Sequence, residues 1–115
     1  MELKQQIQHI IEYHQGEINS IPRRLLLSEL LLAPTSHNDR KVRLLISELR
    51  HEGCPILFST GNPGGYYMPR NHAELAEGID KMRSYVIDEC QIMAAWKHKG
   101  AAYLNGEIQG KLLEV

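Results

Sequence analysis

The sequence predicts a mainly α-helical fold with one small β-hairpin, followed by a long C-terminal helix. Three observations lead there. Apolar residues recur at helical spacing in separate stretches: Leu3, Ile7, Ile10 and Ile11; Leu25 to Leu32; Val42, Leu45, Ile46 and Leu49; and Leu75 onward. Two short β-favouring runs, Ile56 to Ser59 and Tyr66 to Met68, flank the turn Thr60-Gly61-Asn62-Pro63-Gly64-Gly65. The last stretch then steps by four and three through Leu75, Ile79, Met82, Val86, Glu89, Met93, Trp96, Gly100 and Tyr103, a heptad seam.

The first stretch reads as an amphipathic helix over residues 3–14, stopped by Gly16. Ile18 is placed to start a very short strand. Ser20 suits an N-cap and Pro22 the first turn of a second helix, Arg23 to Leu32, which is apolar on nearly every side. Such a helix is sandwiched between neighbours or left partly exposed for a partner. Ala33-Pro34-Thr35 forms the next turn, because proline pushes the residue before it out of the helical region. Ser36 is expected to cap the third helix, with Asp39 at the capping-box position and matched to the helix dipole. Gly53 supplies a left-handed C-terminal cap and Pro55 blocks continuation. In the second strand, Tyr66 and Tyr67 alternate, so one ring is expected inward and one outward.

Asn71 caps the last helix, with Glu74 at its box position. Unbroken from 71 to 103 it measures on the order of 50 Å, more than a small domain needs to cover its core. Gly78 and Gly100 each weaken it by about 1 kcal/mol relative to alanine, and a break is expected near Gly100. The organisation predicted is a domain over residues 1–70, a helical dimerisation element over 71–104 and a flexible tail over 105–115.

Hydrophobic content of 43% and charged content of 23% suit a soluble globular chain. No apolar run approaches the roughly 20 residues of a membrane span, the N-terminus lacks a signal-peptide layout, and Cys54 and Cys90 make no disulfide framework. A cytoplasmic setting is expected. The formal net charge is −1. Residues 1–70 hold 8 Lys/Arg against 7 Asp/Glu, and residues 71–115 hold 5 against 7. The cations of the first part cluster at Arg23-Arg24 and at Arg40, Lys41 and Arg43, which gives local positive potential without strong non-specific affinity.

With Val42, Leu45, Ile46 and Leu49 facing inward, the opposite face of the third helix carries Arg40, Leu44, Ser47 and His51, flanked by Lys41 and Arg43. Arginine pairs bidentately with guanine, lysine and serine bond phosphates, and an exposed leucine touches a thymine methyl. The glycine-rich turn lacks the Gly-Lys-Ser/Thr ending of a phosphate loop and is not followed directly by a helix. His51 and Cys54 form one close pair, but no second pair completes four ligands, so neither metal nor cofactor is expected. Asp88 and Glu89 are adjacent and point apart on a helix, and no nucleophile–base arrangement is identifiable by spacing, so an enzyme is not expected.

The segment Asp39-Arg40-Lys41-Val42-Arg43-Leu44-Leu45-Ile46-Ser47-Glu48-Leu49-Arg50, followed by Gly53, Ile56 and Gly65-Tyr66, resembles the recognition helix and wing of a winged helix-turn-helix domain of the biotin-repressor-like or phage-regulator kind. The resemblance covers residues 3–68. It implies that the third helix enters a DNA major groove while the hairpin contacts the flanking backbone. The chain departs from that pattern in its neutral charge and in having no Lys or Arg between Cys54 and Pro69.

The expected function is a small homodimeric, sequence-specific regulator bound to double-stranded DNA through Arg23, Arg24, Ser36, His37, Asn38, Arg40, Lys41, Arg43, Leu44, Ser47 and Tyr67. Leu75, Ile79, Met82, Val86, Met93 and Trp96 form the expected dimer interface. The alternative is a protein-interaction winged helix in a replication or recombination complex, using the apolar patch around Leu26, Leu32 and Leu44.

Overall fold

The computed structural model describes residues 1–62 and 64–106. Its elements run in the order α1 (Leu3–Glu12), a 3₁₀ turn (Glu17–Asn19), α2 (Arg23–Glu29), α3 (Ser36–His51), β1 (Leu57–Ser59), β2 (Gly65–Tyr67) and α4 (His72–Leu104). The protein is mainly helical with a two-stranded antiparallel hairpin and a long last helix. The chain divides into two compact units, Met1–Gly78 and a second that begins at Ile79.

The core of the first unit gathers Ile7 and Ile11 of α1, Ile21, Leu26, Leu27 and Leu30 of the α2 region, Val42, Ile46 and Leu49 of α3, and Ile56 and Tyr66 of the hairpin. The stripes of α1 and α3 read from the sequence therefore face the core, with Leu3, Ile10 and Leu45 packed at its margin. Burying a side chain of this size contributes about 1.5–3 kcal/mol. Lys4 of α1 bridges Glu48 of α3 and Glu52 at its C-cap and pins the two helices along their exposed margin.

Several local expectations shift. The first helix ends at Glu12 rather than 14, because the next backbone groups serve the hairpin: Met68 N–H donates to His14 O at 2.8 Å and Gly16 N–H to Met68 O at 2.8 Å. Ile18 lies in the 3₁₀ turn, and Ile21 takes the extended role instead. Ile21 N–H donates to Tyr66 O at 2.8 Å, and Tyr66 N–H to Ile21 O at 2.9 Å. α2 starts at Arg23 as expected, but with Ile21 held extended Pro22 stands at the N-cap, not in the first turn. Ser20 is thus no cap; its hydroxyl is buried without a hydrogen-bond partner among the described residues.

The second helix closes at Glu29, three residues before Leu32. Leu31 turns to φ +60°, and Leu32 N–H reaches back to Leu27 O at 2.9 Å, a glycine-type C-cap made with leucine. On α3 the capping hydroxyl is Thr35, which accepts from Asn38 N–H at 3.2 Å; Ser36 is already helical. Both residues are good caps, and the extended backbone at Thr35 decides between them. Gly53, at φ +99°, ends α3.

The hairpin pairs Leu57 with Tyr67, Phe58 with Tyr66 and Ser59 with Gly65. Ile21 lies along the other edge of β2. A Cβ on Gly65 would sit 2.0 Å from Ile21 O, so only glycine lets the two backbones pair here. Tyr67 is 3% exposed, not outward. Alternation assumes one free sheet face, but the second face is also covered: a Cβ on Gly78 in the first turns of α4 would lie 2.7 Å from Leu57, the neighbour of Tyr67 in the hairpin.

Asn71 Oδ1 accepts from Glu74 N–H at 2.9 Å and Glu74 Oε1 from Arg70 N–H at 3.0 Å, which fixes the start of α4. The helix continues through Gly78 and Gly100 to Leu104, so the expected break at Gly100 does not occur. One glycine costs about 1 kcal/mol, too little to interrupt a helix hydrogen-bonded on both sides. Of the expected flexible tail, residues 107–115 lie outside the described residues. Among the described residues no helix is long and apolar enough to cross a membrane.

Candidate nucleic-acid interface

The α2–turn–α3 corner sets two basic clusters side by side. Arg23, Arg24 and Leu27 share one shallow cavity with Pro34, Thr35, Ser36 and Asp39, so the N-terminal turns of α2 and α3 converge. Helix N-termini present unpaired N–H groups and a positive dipole end, which favour anions. Past this corner, α3 exposes Arg40, Lys41, Arg43, Leu44, Ser47 and His51 on the side away from the core. Leu44 is 61% exposed, an apolar side chain on an otherwise polar face.

Ion pairing sorts the cations of the first unit. Lys4 is bound to Glu48 and Glu52, Arg43 to Asp39 at 3.0 Å, and Arg70 to Glu74 at 3.4 Å. Arg23, Arg24, Arg40 and Lys41 make no ion pair among the described residues. All four lie at the α2–α3 corner or on the exposed side of α3. Five cations of this unit therefore lack an ion pair among the described residues; four share this region, and the fifth, Arg50 at the end of α3, donates its Nε–H to Ile56 O.

The remaining expected site residues divide. Ser36 and His37 are exposed in the first turn of α3. Asn38 is half-buried and its side-chain amide donates to Ala33 O at 2.9 Å, so it braces the turn and has little left to read a base. Arg43 is engaged by Asp39, a pairing that i,i+4 spacing forecasts. The His51 ring donates from Nδ1 to Ser47 O at 2.7 Å, which leaves the Ser47 hydroxyl free of that contact. Tyr67, buried, offers no ring to a phosphate.

One participant was not read from the sequence. Phe58 of β1 is exposed, and the Arg23 guanidinium lies over its ring, 5.2 Å from the centroid. Phe58 in turn meets Tyr66 edge-on at 5.2 Å. The hairpin has no cation of its own, and α2 lends it Arg23. An aromatic on a short exposed strand was the available signal. Its partner, far away in sequence, was not. Behind the hairpin, Arg50 Nε donates to Ile56 O at 2.8 Å and its guanidinium lies 5.9 Å from the Tyr66 ring centroid. Burial lowers the Arg50 pKa from its ordinary value, with the guanidinium still charged at neutral pH.

Cys54 packs against the core, and burial, with Glu12 and Glu52 nearby, pushes its thiol pKa up. Among the described residues no three His, Cys, Asp or Glu side chains group as metal ligands. Comparison of the chain with protein-family models, with curated proteins and with solved structures finds no match.

Proposed function

We propose that the protein binds double-stranded DNA as a small winged helix-turn-helix regulator, with α3 as the reading helix. The observation that carries this reading is that four of the first unit's five cations without an ion pair among the described residues, Arg23, Arg24, Arg40 and Lys41, lie at the α2–α3 corner or on the exposed side of α3, while the fifth, Arg50, donates to the backbone behind the hairpin. The topology supports it. An extended residue between α1 and α2 pairs with β2, while β1 pairs on the other edge, and the hairpin follows α3 directly. Arg40 reads a base edge from the early turns of α3; Lys41, Arg23 and Arg24 bind phosphates. Ser47 and Leu44 contact the groove one to two turns further on. Arg43 contributes less, because contact with DNA requires it to leave Asp39. A role on DNA implies a cytoplasmic location, and no catalytic step or cofactor belongs to it.

The test is binding to a site selected from a random duplex library and to a scrambled duplex, each at two salt concentrations. Arg40→Ala is expected to lose about 1–3 kcal/mol on the selected site and to relax specificity at one position. Lys41→Ala is expected to weaken both duplexes alike and to reduce the salt slope by about one unit. If Arg40→Ala binds both duplexes as well as the parent, α3 is not the reading helix. Of the apolar patch expected for a protein partner, Leu26 is fully buried and Leu32 half-buried, so such a partner would meet Leu44 with the exposed Leu25 and Leu31 in their place.

A further inference from the structure

The second unit carries an unanswered apolar face. From Ile79 to Leu104, α4 has no buried residue, and Ile79, Met82, Val86, Met93, Trp96 and Tyr103 of the seam are all exposed, Trp96 at 70%. Leu75, half-buried in the first unit, is not part of this face. Two features of the seam are odd for a simple coiled coil: a carboxylate at Glu89 and a missing side chain at Gly100. Around Gly100 lies an apolar groove walled by Trp96, Tyr103 and Leu104 and edged by Lys99. A Cβ built on Gly100 meets nothing within 4 Å.

We infer that the part of this face from Val86 to Tyr103 pairs with α4 of a second copy in antiparallel orientation, in the register that sets Glu89 of one helix against Gly100 of the other. Heptad geometry fixes the consequences. Residues that meet across the axis then add to a constant, so Met93 meets Trp96 and Val86 meets Tyr103, each pair occurring twice. Met93 gains a sulfur–aromatic contact. The Glu89 stem fills the groove at Gly100 and its carboxylate reaches the flanking Lys97 and Lys99. The seam's exception and its gap therefore complement each other.

Other pairings lack this match. Parallel helices set Glu89 against Glu89 and leave two facing gaps at Gly100, a like-charge contact beside a void. The antiparallel register shifted by one heptad sets Met82 at Gly100 but brings Arg83 beside Lys97 and leaves Glu89 on Met93, with its charge unanswered. The flanking residues nearest the axis in the proposed register are Cys90 with Lys97 and Ile92 with Lys99, pairs free of like charge. The inference concerns the second unit and stands whether or not the first binds DNA.

Disulfide trapping in the full chain, with Cys54→Ser to leave Cys90 as the native thiol, distinguishes the arrangements. Under mild oxidation Lys97→Cys is expected to give a covalent dimer through Cys90. Parallel pairing would instead be trapped by Tyr85→Cys, and the shifted register by Cys90 alone, linked to its own copy. Sedimentation adds a second readout: Glu89→Lys should weaken association by on the order of tenfold, and Lys97→Glu with Lys99→Glu in the same chain should restore it. Preferential trapping at position 97 together with that rescue supports the inference. A monomer at tens of micromolar, or preferential trapping through either alternative, overturns it.

Discussion

Leu31 takes φ +60° with 93% of its surface exposed, where the backbone favours glycine and the surface favours a polar side chain. The left-handed state costs a non-glycine residue about 1–2 kcal/mol, and so exposed a side chain recovers little of it by packing. Leu31→Gly is therefore expected to raise stability, by at most about 1 kcal/mol once the added freedom of glycine in the unfolded chain is subtracted. Denaturant unfolding of the two proteins measures it, and a clear loss would mean that the leucine packs in solution. The cysteines make a second contrast at this scale. Cys90 is exposed, whereas Cys54 lies on the core with its thiol pKa raised. The thiolate is the reactive form, so at pH 8 an alkylating reagent is expected to modify Cys90 well before Cys54, with the lag shrinking as the pH rises and Cys54 ionises. Mass mapping of partly alkylated protein reads the order. Equal rates would place Cys54 outside the core. Single residues were also where the sequence was least legible. Thr35 and Ser36 are both competent caps, and Ser20 lost its capping role only because Ile21 is held extended by Tyr66, a contact between residues remote in the chain.

Elements were read more securely than their ends. Helical periodicity located the buried stripes of α1 and α3, because burial of one face imposes the 3.6-residue period directly on composition. The ends shifted where backbone groups were claimed from elsewhere, as His14 and Gly16 are by Met68. The turn marks the hairpin, but alternation does not reveal the burial of Tyr67, since it says nothing about a helix arriving from later in the sequence. The close approach of β2 to Ile21 gives this element its test. Gly65 sits at φ +122°, and an added Cβ would lie 2.0 Å from Ile21 O and 2.7 Å from Pro22 N. Those atoms are backbone and have no rotamer to adjust. Gly65→Ala is expected to destabilise the first unit by more than about 3 kcal/mol, measured by thermal or denaturant unfolding. By contrast Gly100→Ala, in open space, should strengthen α4 by about 1 kcal/mol as a helix.

At the scale of the whole molecule, composition misleads. A net charge of −1 argues against a polyanion partner, but charge acts where it is unpaired, and three of the cations in the first unit are held by Asp39, Glu48, Glu52 and Glu74. The i,i+4 pairs were readable from spacing; the Lys4 bridge and the Arg23–Phe58 stack, which join distant elements, were not. This partition sets a quantitative expectation for DNA binding. Counterion release gives a slope of log K against log salt of about −0.9 per neutralised phosphate. If Arg23, Arg24 and Lys41 bind phosphates while Arg40 reads a base, one protomer should show a slope of about −2.7, and a dimer engaging two half-sites about −5.4. Titration of a selected duplex over a range of salt concentrations measures it directly. A slope near the larger value in the parent, falling toward the smaller in Glu89→Lys, would tie the two units together functionally. A slope near zero would mean that the unpaired cations meet no phosphate, and the α2–α3 corner would then belong to a protein partner.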